Sequence, residues 1–279
     1  MLYIELPECL LCAFESRMQE VRRLGVNDLG KYSKLSIRIS ELMPGGRTPL
    51  FIESFEELTK MLNNEDPHLE EKKELERVAS SILHVIVNSI GGDVIKYFEV
   101  AAAANSVDVP MRDYNFDIND FINKLLEEPI WIGITRDKLT KLLSDSKSIG
   151  YVVDNSGEFQ IDSLLIKRLV NAGINVTVYA RGMPYEVDIT ADYASKILKD
   201  INVKIISTKN RYPVFYNENL WSNLRKHDLI ISKGIGNFEA YLEKELDLRT
   251  LFLFRAKCGP IIRLLKVPRN SPVIYLLGG

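Results

Sequence analysis

From about Ser148 onward, short apolar runs rich in β-branched residues alternate with stretches of helical periodicity, and this alternation constrains the fold more than any other feature. The strand-like runs are Ile149–Val153, Asn175–Ala180, Val203–Thr208, Leu229–Ser232, Leu251–Phe254 and Val273–Leu277. Between them, Asp162–Ala172, Thr190–Asp200, Glu218–Lys226, Phe238–Leu246 and Gly259–Leu265 read as helices. Strand, helix and strand at intervals of roughly 25 residues make βαβ units, whose parallel strands are buried on both faces. The expectation is an α/β fold: a three-layer α/β/α, doubly wound, mostly parallel sheet of Rossmann-like type over residues 148–279.

Residues 1–147 read instead as helix after helix, a subdomain packed on that core. Pro7 stands at an N1 position, and Cys9, Leu10, Cys12, Ala13, Met18 and Val21 keep an approximate stripe up to Gly25. Ser33 to Leu42 is a second helix, ended by Pro44-Gly45-Gly46, and Ser54 caps a third. Asp66-Pro67 opens the longest helix of this part, which runs to about Ser89. Asp93 to Val107 follows, with four alanines (Ala101 to Ala104) that let another backbone approach and with Asn105 and Asp108 on one face. Asp117 to Glu127 and Thr135 to Ser144 are two further helices around a short strand, Ile130 to Ile134.

Composition narrows the function classes. With 46% hydrophobic and 27% charged residues the chain reads as globular. A net charge of −2 gives no basic bias toward nucleic acid or anionic membrane. No stretch approaches the roughly 18 apolar residues of a membrane span. Met1 to Cys12 has no basic n-region, and three cysteines do not make a secreted disulfide scaffold, so the expectation is a cytoplasmic protein. Nothing in the residues speaks to oligomeric state.

Three loops leave the expected strand C-termini, the edge where open α/β sheets bind ligands. The first is Asp154-Asn155-Ser156-Gly157-Glu158; the second, Arg181 to Ala194, holds Asp188; the third, Ser232 to Glu239, holds Lys233 and a Gly-x-Gly-Asn turn. Asp154, Asn155 and Asp188 offer two hard carboxylates and an amide oxygen, a set suited to magnesium or manganese. Lys233 and the backbone amides of Gly234 to Asn237, including Gly236, at a helix N-terminus favour a phosphate. Each piece alone has a plainer meaning: a helix cap for Asp188, an ordinary turn for the glycines. Convergence of the three loops on one edge is what carries the joint reading.

DNSGE, RG-x-P followed by DIT and DYA, and KG-x-GNFE, in this order and at these intervals, resemble the metal-dependent damage-control phosphatases. CLLC (Cys9 to Cys12), DPH (Asp66 to His68), AANSVD (Ala103 to Asp108) and AKC (Ala256 to Cys258) are similar to a small prokaryotic subgroup of that family carrying a CxxC, so the resemblance spans nearly the whole chain. It implies a phosphatase of small phosphorylated metabolites, such as sugar phosphates or damaged or surplus cofactor-type phosphates. Its divalent metal (manganese, magnesium, nickel or cobalt) would be held by Asp154, Asn155 and Asp188, with Lys233 and Asn237 toward the phosphate and Asn105 and Asp108 near the site. The chain departs from the family pattern at Val187, where Asn is usual, and at His68, where Tyr is common.

Hydrolysis by metal-activated water is the expected mechanism, with Lys233 offsetting charge on the transferring group. A nucleophilic Asp154 would want a second Asp two residues on, and Ser156 stands there. Cys9 and Cys12 are either small buried residues or, with Cys258, a redox pair or partial soft-metal site. Two rival functions exist. An S-adenosylmethionine methyltransferase would want a glycine-rich first turn, and a non-catalytic phosphometabolite-binding module would need no acidic cluster.

Overall fold

The computed structural model describes residues 6–106 and 118–278. Its helices and strands in chain order begin with α1 (Leu6–Arg23), α2 (Leu29–Leu42), α3 (Arg47–Leu62), α4 (Leu69–Ile90) and α5 (Val94–Ala103), then α6 (Ile118–Leu125), β1 (Ile130–Ile132) and α7 (Arg136–Asp145). The alternating part follows: β2 (Ser148–Val152), α8 (Glu158–Asn171), β3 (Asn175–Ala180), α9 (Ala191–Ile197), β4 (Lys204–Ser207), α10 (Glu218–Leu224), β5 (Leu229–Lys233), α11 (Ile235–Glu243), β6 (Thr250–Arg255), α12 (Gly259–Leu265) and β7 (Pro272–Leu277).

The seven strands form one sheet in the order β1-β7-β6-β5-β2-β3-β4. β2 pairs in parallel with β3 on one side and β5 on the other, so the chain winds outward in both directions from β2. This puts the topological switch point between β2 and β5. β7 runs antiparallel to β6, and β1, drawn from the helical half, lies parallel to β7 at the sheet edge. The fold is the expected mostly parallel α/β sheet.

Residue parity assigns the layers, because successive side chains on a strand point to opposite faces. Ile149, Tyr151, Val176, Val178, Leu229, Ile231, Leu251 and Leu253 meet residues of α4, α5, α8 and α9. Val152, Tyr179, Ile230, Phe252 and Phe254 meet Phe238 and Tyr241 of α11 and Phe215. A third cluster, with Ala13, Val21, Leu35, Ile39, Leu50, Phe55 and Leu58, joins α1, α2 and α3 to one another and to Tyr185 of the loop after β3. Among the described residues no helix is long and apolar enough to cross a membrane.

Several element boundaries differ from expectation. α2 starts four residues before the expected Ser33 because Asp28 caps it, accepting from Gly30 N and Lys31 N. Ser54 caps nothing: it lies inside α3, fully buried, where its hydroxyl donates to Phe51 O and accepts from Arg17 Nε at 3.1 Å. α5 gives way at Ala104 to a 3-10 turn, Ala104–Ser106. The four alanines are buried, and the carbonyls near this helix end accept from cations: Ala101 O from Lys233 Nζ at 2.5 Å and Ala103 O from Arg255 Nε at 2.9 Å.

Candidate active site

The loops after β2 and β3 are zipped together. Ile189 N donates to Asp154 O (2.9 Å), Ser156 N donates to Val187 O (2.8 Å), and Asn155 faces Asp188 in an isolated antiparallel bridge. The Val187 side chain packs into the core, so it is the backbone of that residue that orients Asp188. Gly157, at φ +77°, turns the chain so that α8 starts at Glu158, four residues before its expected start at Asp162. Glu158 and Asp162 therefore lie one turn apart on the same helix face.

Asn105 reaches this loop from the end of α5. Its Nδ2 donates to Asp154 Oδ2 at 3.0 Å and to Glu158 Oε2 at 2.9 Å, while its Oδ1 accepts from Arg255 N at 3.3 Å. Asp188 is held from the other side: Arg181 Nε donates to Asp188 Oδ2, and the guanidinium lies 4.5 Å over the Tyr185 ring. Each of the two carboxylates thus spends its Oδ2 on a neighbouring side chain.

The third loop begins its helix sooner than the Gly-x-Gly-Asn pattern predicts. Gly234 alone makes the turn, at φ +76° and ψ 157°, and α11 starts at Ile235, so Gly236 and Asn237 lie in its first turn. Gly234 also admits Asp154: a Cβ there would lie 2.6 Å from Asp154 Oδ1 and closer still to the rest of the carboxylate. Asn237 does not face outward. Its Nδ2 donates to Val153 O (3.1 Å) and Lys233 O (2.9 Å), tying β2 to the start of α11.

Lys233 also points away from the open edge. Its side chain is fully buried, and its Nζ donates to Asp162 Oδ1 at 2.8 Å, with Glu158 Oε1 at 3.5 Å. Parity explains this: Lys233 follows Ile231 by two and enters the same helix layer, behind the site.

A cavity of about 230 Å³ opens at the strand ends, lined by Asn105, Asp154, Asn155, Asp188, Arg181 and Gly236 on the sheet side. Ser16, Thr48, Phe51 and Ile52, from α1 and α3, form the facing wall. Burial pushes Asp154 well above the usual carboxylate range, and Asp188 and Glu158 push it further. Burial raises Asp188 to about 6 against the pull of Arg181. Both shifts say that negative charge at this wall is under-compensated. Among the described residues no three His, Cys, Asp or Glu side chains gather as a metal-holding group by themselves.

Of the residues expected at the site, the cavity brings together Asn105, Asp154, Asn155, Asp188 and Gly236; Gly234, Lys233 and Asn237 lie behind it, and Asp108 falls outside the described residues. Arg181 and Glu158 stand in the sequence motifs but were given no role there, and Asp162 was read only as the start of a helix. Position was the available signal for Arg181, the first residue beyond β3. The cysteines do not line the cavity but lie close by, Cys9 beside Arg47 of its wall and Cys258 next to Lys257. Cys9 is buried in α1, Cys12 on the same helix is exposed, Cys258 precedes α12, and none is disulfide-bonded. Burial raises the Cys9 thiol to about 11 and the Cys258 thiol to about 12, which disfavours the reactive thiolate.

Residues 6–273 match the damage-control phosphatase ARMT1-like domain. The chain is 28% identical over 278 residues to a damage-control phosphatase of Pyrococcus horikoshii, covering 95% of this chain and 96% of that one. It is 27% identical over 215 residues to a damage-control phosphatase of Archaeoglobus fulgidus, covering 73% of each. A crystal structure of a DUF89 family protein from Pyrococcus horikoshii is similar over 98% of both chains, with a TM-score of 0.82 at 25% identity.

Proposed function

We propose that this chain, which belongs to the damage-control phosphatase ARMT1-like domain family, hydrolyses phosphomonoesters of small metabolites with the help of a divalent cation held by Asp154, Asn155 and Asp188. The observation that carries the reading is the pair of desolvated carboxylates, Asp154 and Asp188, facing one small polar cavity at the switch point of the sheet. The donor set fits the cation. Asp154 and Asp188 each have their Oδ2 engaged by a protein side chain, leaving one hard oxygen apiece, and Asn155 adds an amide oxygen beside them. Manganese, magnesium, nickel or cobalt would suit such a site, with water or substrate oxygens completing the shell.

When bound, such a cation supplies Lewis-acid polarisation of phosphoryl oxygens and a lowered pKa for water. The chain's own part is positioning. The N-terminal amides of α11, beside Gly236 on the cavity wall, offer donors to phosphoryl oxygens. Arg181 holds Asp188 in one orientation, and Asn105 does the same for Asp154. Attack by water rather than by Asp154 is favoured because Ser156, two residues on, is buried and offers no acid or base. The cavity limits the substrate to a small one, with Thr48, Phe51 and Ile52 facing its leaving group.

The test is phosphate release from a panel of phosphorylated metabolites with each of the four metals, with and without EDTA. Release that needs metal supports the reading. No release with any metal and substrate would point instead to a binding module.

A further inference from the structure

From Asp154 a buried polar chain runs back behind the cavity. Asn105 Nδ2 joins Asp154 Oδ2 to Glu158 Oε2; Glu158 Oε1 faces Lys233 Nζ at 3.5 Å; and Lys233 Nζ is anchored on Asp162 Oδ1 and Ala101 O, at 2.8 and 2.5 Å. Glu158, Asp162 and Lys233 are each at most 1% exposed. Taking these charges out of water is costly, and packing alone would be better served by apolar side chains of the same size.

The Asn105 amide has one orientation available. Both of its N–H groups are used by carboxylates and its oxygen is used by Arg255 N. A flipped amide would aim its oxygen at two carboxylates and its N–H at a backbone donor. Asp154 is therefore held by an amide whose own placement depends on Glu158. Glu158 Oε1, without a hydrogen bond of its own, lies at ion-pair distance from the Lys233 ammonium that Asp162 and Ala101 O hold in place. The lysine that the sequence places at the phosphate is, in the fold, the anchor of this chain.

We propose that Glu158 is a positioning residue that fixes the Asp154 carboxylate through Asn105, with the buried Lys233–Asp162 pair as its anchor. This rests on the reading of Asp154 as a metal ligand. It assigns to the first residue of α8, and to a lysine out of reach of the cavity, control over how tightly the cation is held. Partners behind a metal ligand commonly change affinity by about 10–100-fold when removed.

The experiment is a double-mutant cycle read as Mn2+ affinity of the purified full chain, by calorimetric titration, with thermal melting alongside. Glu158→Leu and Asn105→Ala are each expected to weaken Mn2+ binding by about 10-fold or more. The double variant should be no weaker than the worse single one, because both break the same link. Asp162→Asn, one step further back, should weaken binding less than Glu158→Leu. If Glu158→Leu does not fold, Glu158→Gln takes its place in the cycle, with a smaller loss because its carbonyl still accepts from Asn105. Unchanged Mn2+ affinity with a lowered melting temperature would make Glu158 merely structural and overturn the proposal, as would losses that multiply in the double variant. Wild-type protein that takes up no Mn2+ would be a different failure, of the metal reading beneath, and the proposal would fall with it.

Discussion

Replacing Gly234 by alanine separates the demands of the backbone from those of the cavity. Gly234 sits at φ +76° and ψ 157°, a region essentially closed to other residues, where a side chain costs about 1–3 kcal/mol. The added Cβ would also lie 2.6 Å from Asp154 Oδ1 and nearer to its other carboxyl atoms, and relieving such overpacking adds about 1–3 kcal/mol. Against a total stability of about 5–15 kcal/mol, a loss of roughly 2–6 kcal/mol leaves a protein that folds but melts early. The clash has one exit, displacement of the Asp154 carboxylate, so cation binding should fall together with stability. Gly236→Ala is the control. Nothing lies within 4 Å of a Cβ there, and the residue sits in the first turn of α11. A helical alanine should gain about 0.5–1 kcal/mol. Its methyl would enter the cavity, so phosphate release should drop even as stability rises. Urea unfolding gives both stabilities, and Mn2+ titration with phosphate release gives the site. A Gly234→Ala protein with wild-type midpoint and wild-type Mn2+ affinity would refute the placement of α11 against Asp154.

Other expectations follow from the same groups. Lys233→Met leaves the buried Asp162 and Glu158 carboxylates without their cation and should cost about 3–5 kcal/mol in denaturant unfolding. Burial pulls the His68 pKa down, but hydrogen bonds to Glu20 and Glu71 outweigh it and raise it to about 9. A raised folded-state value means that the contribution, up to about 3 kcal/mol, is complete below an unfolded pKa near 6.5 and lost as pH climbs to about 9. Unfolding midpoints across that window should show the loss in the wild type and not in His68→Tyr. Asp154→Asn removes a carboxylate that burial and its acidic neighbours disfavour, so the metal-free protein should gain about 0.5–2 kcal/mol while Mn2+ binding is abolished. A melt with and without Mn2+ checks both halves.

Much of the architecture was legible because burial in the sheet writes β2, β3, β5 and β6 as short apolar runs. The place of Asp154 and Asn155 was legible for the same reason, since a polar residue just after such a run falls at the strand-end edge. Asp188, well inside the loop after β3, was picked out instead by the Thr-started helix that follows it. Lys233 was misplaced although its parity was visible: two residues after Ile231, it belongs to the same buried face and enters the α5–α8 layer. The start of α11 was read late because two glycines resemble an extended turn, whereas only Gly234 adopts a positive φ. Ser54 had the type of a helix cap, but its partner Arg17 lies on another helix, a pairing that local pattern does not encode. Arg181, Glu158 and Asp162 were hidden in the same way, being recognisable only once α8 and the second loop are packed against β5 and Asn105. The fold gives His68 a place between helices. It bonds Glu20 of α1, which pairs with Arg17, which in turn pairs with Glu186 at 2.6 Å, two residues before Asp188.

The central claim is the location of the cation. Crystals grown with Mn2+ and measured at a wavelength where manganese scatters anomalously test it without recourse to turnover. The account predicts an anomalous peak among Asp154, Asn155 and Asp188, lost in Asp154→Asn. A peak only beside Cys9, Cys12 and Cys258, or a site between the two aspartates that stays empty at saturating Mn2+, would contradict it.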